Sequence, residues 1–523
     1  MKNILGRANQ RLPLGSAAVL LSGTAFLGIV LGILRTKLIN ANFNNFESDA
    51  YFAAFKIPDF VFFTLASGAL GVAFLPILSE RLQKNKQSAW QVASYILNAL
   101  AIVAILASIL IIVFAQPLLK YIVAPGFTPE QLELSVAIMR IISVNIFLFA
   151  VSTVLTTVQQ SVGRFFFVAI APLFYNASII LSIYIFGSRI GIVGLGLGVA
   201  FGAILQLLVV VLGMVGMGFK YHPWINFKDK SFIEVMKILP ARSLTVGVDY
   251  VNSIVETRFA SKISIGAVTN YENALLLHNA PITLIGTSIS TAAFPRLTDR
   301  LAQGRTDLFR KEFIRVLRVM IWISLPVVVV AYFARGYLAR IIFARSNREI
   351  ALIFGFLCIA IFFRILYTLI VRYFYAYKDT KTPLYITLFA IALNVFLTYN
   401  LAKPTTYGVV GLALAQCIVA STEVVILVAI MMKRDHKIFD KSFYGFLVRT
   451  ISVTGFSILV GYYVIRLIPL NLSDQGFIIL LKVAFFSFIV FTAHTVVSYM
   501  FGLKESLTVV NRIKRVILKP LKV

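Results

Sequence analysis

The feature that most constrains this chain is a long succession of apolar runs, each reaching with its flanks the roughly twenty residues that cross a hydrocarbon core as a helix. Residues 101–115, 165–186, 319–333 and 450–465 are four of them. Within lipid every backbone N–H and C=O has to be satisfied inside the segment itself, so such runs fold as spanning helices. A soluble domain could not hide them, because 59% of the 523 residues are hydrophobic and only 13% are charged. The pattern predicts an all-α polytopic membrane protein with about fourteen transmembrane helices. They fall near 14–39, 50–79, 90–115, 133–158, 165–186, 190–217, 233–261, 271–297, 308–333, 350–376, 382–401, 406–432, 443–469 and 476–502. The basic N-terminus leads into an apolar stretch longer than a signal-peptide core, with no small-residue cleavage pattern, and is read as the first span.

A net charge of +28 would suggest nucleic acid in a soluble protein. Here the basic residues sit mostly in short loops, without a stacking platform or recognition helix, and no nucleic-acid partner is expected. The N-terminal tail and most of every second connection, counted with its flanks, are rich in them, as at Arg81, Lys84 and Lys86, at Lys220, Lys228, Lys230 and Lys237, at Arg296 to Arg315, and at Lys433, Arg434, Lys437 and Lys441. Residues 40–49 carry none, and 116–132, 187–189, 262–270 and 402–405 carry one each. This bias predicts both termini in the cytoplasm. Residues 334–349 dissent, with Arg335, Arg340, Arg345 and Arg348 on the outer face, either as a local exception or as a site for an anionic headgroup. The tail, with Arg512, Lys514, Arg515, Lys519 and Lys522, reads as an amphipathic basic segment on anionic lipid or as a disordered end. Cys358 and Cys417 lie in apolar runs with no metal or redox spacing and read as packing residues.

The two halves of the chain resemble each other at a spacing near 218 residues. Leu75-Pro76-Ile77-Leu78-Ser79-Glu80-Arg81-Leu82 matches Phe294-Pro295-Arg296-Leu297-Thr298-Asp299-Arg300-Leu301, and Ile190 to Gly198 matches Tyr407 to Ala415. Small residues at helix starts recur for packing reasons alone, which covers the second pair but not the first. Six spans keep the two copies in one orientation, which predicts two six-helix bundles related by a pseudo-two-fold along the membrane normal, a cavity between them as the substrate site, and two further C-terminal helices. The expected divisions are 1–217, 218–432, 433–502 for the accessory helices and 503–523 for the tail.

Several segments in order resemble the MviN/MurJ lipid II flippases of the multidrug/oligosaccharidyl-lipid/polysaccharide exporter superfamily. They are Asp49 to Pro58 leading to Gly68-Ala69, Ala124-Pro125-Gly126-Phe127, Gln159 to Phe165, Ala171 to Asn176, Pro240 to Gly247 with Phe259-Ala260-Ser261, Thr291 to Leu297, and Lys378-Asp379-Thr380-Lys381-Thr382-Pro383. The resemblance runs from the first span to the twelfth; spans thirteen and fourteen match in hydropathy alone and by the resemblance form a groove for a lipid tail. It implies movement of a lipid-linked peptidoglycan precursor from the cytoplasmic to the outer leaflet of the bacterial inner membrane by alternating access, as a monomer and without a cofactor. Arg35 falls on the characteristic first-helix arginine and Asp49 on the acid before the second helix. Elsewhere the pattern is broken: Phe62 and Phe63 stand for an arginine pair, Ser67 for a glutamate, and Ile29 and Leu276 for further arginines. These departures keep alive an exporter of another polyprenyl-linked glycan or a cation-coupled drug antiporter.

Ionisable residues inside spans are costly and are candidates for function. Arg35, Asp49, Lys56, Arg258 and Arg364 are taken as substrate-binding, since a polyprenyl-diphosphate glycan presents phosphates that arginine engages with paired donors. Arg35 has the competing reading of a snorkelling helix end. Lys56 and Asp59 are three apart and neutralise each other on the alternative reading. Asp249 and Glu256, two turns apart on one side of the seventh helix, are the candidates for a coupling ion, Na⁺ or H⁺, with coupling to membrane potential left open. His278 and His494 read as packed imidazoles, and Glu423 as an unrelated buried acid. No phosphate loop, metal cluster or nucleophile with a base points to an enzyme.

Overall fold

The computed structural model describes residues 14–343, 347–471 and 474–507, with side chains at all but 14–15, 18, 66–73, 240–246 and 248–249. Every regular element among them is helical. The helices are α1 (Leu14–Asn42), α2 (45–84), α3 (Lys86–Val123), α4 (Pro129–Ser161), α5 (Phe166–Ile190), α6 (Val193–Met214), α7 (Lys230–Ala260), α8 (267–302), α9 (Thr306–Phe333), α10 (Asn347–Ala376), α11 (Lys381–Leu401), α12 (Val409–Arg434), α13 (Lys441–Leu467) and α14 (Gly476–Met500). Each lies over one expected span. Eleven are long and apolar enough to cross a membrane.

The helices run a few residues past the expected limits because their ends are set by capping chemistry that hydropathy does not register. Asn44 and Glu47 form a reciprocal capping box at the start of α2. Asn85 caps α3, Thr128 with Pro129 opens α4, Asp229 caps α7 and Asp440 caps α13. The expected outer loop at 334–349 is not wholly a loop: Arg335–Ile342 forms a short helix that buries Tyr337, Ala339 and Ile342. The lipid-facing side of α3 is legible in its exposed Val103, Leu106, Leu110 and Val113, opposite buried Ala104, Ser108, Ile111 and Ala115.

The chain forms two compact units, one ending at Thr269 and one beginning at Asn270. The first holds α1–α7, with α5 on α6, α3 on α4, α1 on α5, and α7 along α2. Its core runs through Tyr51, Phe74, Trp90, Ile96, Ile138 and Leu195. The second holds most of α8 and all of α9–α14, with α10 and α11 on α12, and α13 and α14 on each other and on α9. Val329 and Ala334 pack there against Phe486 and Val490 of α14. Compact unit and sequence repeat therefore do not share a boundary, since α7 packs with the first six helices although the repeat restarts at 218.

The repeat itself has structural counterparts. Gly191 and Gly408, which occupy matching places before α6 and α12, have φ of 63° and 54° with strongly negative ψ, a conformation essentially closed to residues with a Cβ. Both second helices of the halves, α2 and α8, contain a π-helical turn upstream of the matching Pro76 and Pro295, at Phe63–Ser67 and Ile282–Thr287. The basic tail expected at 503–523 lies outside the described residues from position 508 onward, as does Arg345.

Candidate functional site

The first unit gathers four of the five residues expected to bind substrate. Arg35, half-buried on α1, donates from Nη1 to Oδ1 of Asn176 on α5 at 3.1 Å. Asn176 is in turn held through Nδ2 to the carbonyl of Pro172. The charges of Arg35 and Asp59 both bear on Tyr51 and Tyr175. Among the described residues Arg35 forms no ion pair.

At the expected arginine pair the same unit carries rings, Phe62 and Phe63. Phe62 packs on Phe149 at 5.4 Å, and Phe149 on Tyr175 at 5.3 Å. Phe63 stacks on Tyr250 of α7 at 4.3 Å and 15°. Phe62, Phe149, Tyr175, Asp59 and Asn145 wall a void of about 10 Å³, the size of one water. Into that wall Asn145 brings a buried Oδ1 without a hydrogen-bond partner. Lys56 donates to Ser253 Oγ on α7 at 2.8 Å. Leu276, also at an expected arginine, is half-buried on α8.

Asp49 is placed differently from a ligand-binding acid. It is 1% exposed, and both its oxygens are taken by the first turn of α8. Oδ2 accepts from the N–H of Gly266 at 2.6 Å, and Oδ1 accepts from the N–H and the hydroxyl of Thr269, each at 2.7 Å. A carboxylate at the N–H groups opening a helix is stabilised by them and by the helix dipole. Asp49 thus ties α2 to the start of α8. Arg258 has a similar use. Its Nη1 donates to the carbonyls of Tyr121 and Ile122, the latter at 3.1 Å, where α3 runs out of intrahelical partners. Glu256 is 5% exposed and accepts from Asn252 Nδ2 at 3.2 Å. Asp249 lies on α7 with its side chain outside the described residues.

Arg364 belongs to the second unit and is not part of the Arg35 cluster. It meets Glu423 of α12 at 3.0 Å and Gln416 at 3.3 Å, and Glu423 also accepts from Thr387 of α11 at 3.1 Å. Glu423, read from sequence as an unrelated acid, is the partner of Arg364; an acid on another helix leaves no spacing signal by which to find it. His278 is buried, and His494 is buried against Ser457 at 2.9 Å. No group of three or more His, Cys, Asp or Glu suited to a metal ion occurs among the described residues.

A family model described as Lipid II flippase MurJ matches residues 41–484. The chain belongs to the MurJ lipid II flippase family. A "Probable lipid II flippase MurJ" of Borreliella burgdorferi is 24% identical over 434 residues, covering 81% of this chain and 84% of that protein. Its counterpart in Thermotoga maritima is 26% identical over 473 residues, with 84% and 92% covered. In structure the chain is similar to a lipid II flippase MurJ in an inward closed conformation, with a TM-score of 0.76 at 22% identity over 92% of this chain and 98% of that one. An inward-facing MATE multidrug transporter of the MOP superfamily follows at 0.67 and 15%, with 81% and 98% covered. The chain is a multi-pass protein of the bacterial inner membrane.

Within the MurJ frame, the segments that carry the resemblance are largely those that touch. Ala124 to Phe127 meets Phe259 to Ser261, where the N–H of Gly126 reaches Ser261 Oγ at 3.3 Å. The Ala171 to Asn176 segment supplies the partner of Arg35. In the Lys378 to Pro383 segment Asp379 accepts from the N–H groups of Lys381 and Thr382, each at 3.0 Å, and pairs with Arg434 at 2.6 Å.

Proposed function

We propose that this chain moves lipid II, the lipid-linked peptidoglycan precursor, from the cytoplasmic to the outer leaflet by alternating access, with all fourteen helices crossing the membrane, both termini in the cytoplasm, and no catalytic chemistry. The observation that carries this reading is Arg35. It is a half-buried arginine inside a helical unit, held by a neutral amide and not by an acid. A cation kept in that state retains its attraction for a phosphate, and the planar donors of guanidinium suit a diphosphate. Lys56, held by a hydroxyl, is the second cation of the same unit that we place on the substrate path. Phe62, Phe63 and Tyr250 give that path an aromatic wall where relatives with an arginine pair would offer charge. Asp49 and Arg258 support the helices that carry the path, and Arg364 ties α10 to α12 within the second unit. We place coupling at Asp249 and Glu256, with Na⁺, H⁺ or the membrane potential as drive, and take the monomer as the working unit.

The test is replacement of the resident lipid II flippase in a depletable bacterium, scored by exposure of the lipid II headgroup at the outer surface. The wild-type chain is expected to restore exposure, and Arg35→Ala to abolish it while the protein still inserts to the same level. Failure of the inserted wild-type chain to restore exposure removes the lipid II reading. Full exposure with Arg35→Ala removes Arg35 from it.

A further inference from the structure

The second unit has a cleft of about 1460 Å³ where α9 ends, α10 begins and α13 ends, bridged by the short helix Arg335–Ile342. Four arginines line it, Arg335, Arg340, Arg348 and Arg466, against one carboxylate, Glu349. Glu349 is already occupied as the acceptor for Asn270 Nδ2. Arg335, Arg348 and Arg466 are in no salt bridge with a described acid. Arg335 and Arg466 lie over the rings of Tyr332 and Tyr462 at 4.4 and 4.2 Å. Arg340 donates to the carbonyl of Asn471 at 2.7 Å, while the carboxylate of the adjoining Asp474 is taken by Lys482 at 2.6 Å. Arg335, Arg348 and Arg466 therefore concentrate positive charge at the cleft without a described acid paired to any of them.

The rest of the lining is apolar or amphipathic, including Phe333, Leu352, Ile465 and Leu470. Tyrosines at helix ends, as here, mark the depth at which headgroups meet hydrocarbon. An excess of arginine on a translocated face runs against the positive-inside bias that the other outer connections obey, so a use for these residues is called for. A basic pocket between helices beside apolar surface matches an ion with a greasy tail, the phosphodiester of an anionic lipid.

We infer that this cleft binds the headgroup of an anionic membrane phospholipid, with its phosphate among Arg335, Arg348 and Arg466 and its acyl chains along α13. The site stands apart from Arg35 and does not depend on what the chain transports. A resident lipid there would brace the ends of α9 and α13 through a ligand instead of through protein ion pairs.

The test uses the full chain purified in a neutral detergent, with its thermal unfolding midpoint followed during titration with phosphatidylglycerol, with phosphatidylcholine of the same acyl chains, with a polyprenyl phosphate and with inorganic diphosphate. We expect phosphatidylglycerol to half-saturate at a concentration at least tenfold below phosphatidylcholine. Arg335→Gln/Arg348→Gln/Arg466→Gln is expected to erase that difference. Lys86→Gln/Lys228→Gln/Lys230→Gln, which removes equal charge from exposed positions in the first unit, is expected to leave it within twofold. Should the triple arginine variant not fold, Arg348→Gln alone, at an exposed position, is expected to weaken the response several-fold. Equal responses to the two phospholipids, or an unchanged response in the arginine variants, overturn the site. Inorganic diphosphate matching phosphatidylglycerol makes it a free-anion site, and a polyprenyl phosphate binding tenfold more tightly assigns it to the carrier lipid; either result overturns the phospholipid assignment. Loss of lipid II exposure in the cell assay would leave this measurement unaffected.

Discussion

Replacing Asp49 by Ala tests whether the residue is a strut or a ligand. Its carboxylate accepts three hydrogen bonds from buried donors, two of them backbone N–H groups that cannot turn elsewhere. A buried donor left without a partner costs about 1–3 kcal/mol. Two such groups lose about 2–6 kcal/mol, and removal of an unpaired buried carboxylate returns part of that, so a net loss of ~3 kcal/mol is expected. Asp49→Asn keeps one acceptor oxygen. Turned to Thr269 it satisfies both donors there, while its NH₂ faces the N–H of Gly266, which limits the loss to ~1–2 kcal/mol. For a unit of this size each kcal/mol moves the unfolding midpoint by about 2–4 °C. The Ala variant should then unfold roughly 6–12 °C early and the Asn variant roughly 2–8 °C early, at one fixed scan rate because such proteins unfold irreversibly. Lipid II exposure per folded molecule should stay near wild type in both. Midpoints within 1 °C of wild type for both variants, or exposure lost from fully folded protein, would refute the structural assignment.

Arg364→Ala should destabilise the second unit by about 3–5 kcal/mol by stranding the buried Glu423, whereas Arg364→Met/Glu423→Leu should be close to neutral; detergent melting of the single and double variants distinguishes the two. At Gly126 a Cβ would meet the backbone carbonyl oxygen of Ser261 at 2.2 Å, so Gly126→Ala should cut folded yield by severing the α3–α4 loop from the end of α7, as read by size-exclusion recovery. Burial alone would raise the carboxyl of Asp379, but hydrogen bonds from Thr382 and Arg434 outweigh it and hold the group at about 2 against an ordinary 3.8. Because the folded value lies below the unfolded one, that stabilisation is present above about pH 4 and is lost as pH falls toward 2. The midpoint difference between wild type and Asp379→Asn should shrink across the same window.

The fold was legible because lipid leaves a chain few choices: apolar length alone located a helix over every expected span. Helix ends were less so, since Asn44, Asn85 and Asp229 act through single hydrogen bonds that hydropathy does not weigh. The short helix at Arg335 was missed for a related reason, being too brief and too basic to register as an apolar run. Boundaries between units were not legible at all. The repeat records how the chain was built, whereas the packing of α7 on α2 depends on pairings such as Phe63 with Tyr250, which no periodicity announces.

For the site, the sequence could name the buried charges but not their partners, and the partners decide the roles. Asp49, Arg258 and Arg364 look alike in a hydropathy trace, as ions in costly places. One is spent on the amides of Gly266 and Thr269, one on the end carbonyls of α3, and one on Glu423. In each case the protein itself supplies the compensation that a buried ion requires, so no ligand is needed to account for it. Arg35 is compensated only by a neutral amide, and Arg335 and Arg466 of the cleft lie over tyrosine rings with no described acid paired to them. An ion that its own fold leaves under-compensated is one whose counter-charge comes from outside, and this criterion separates the transport candidate and the lipid site from the struts.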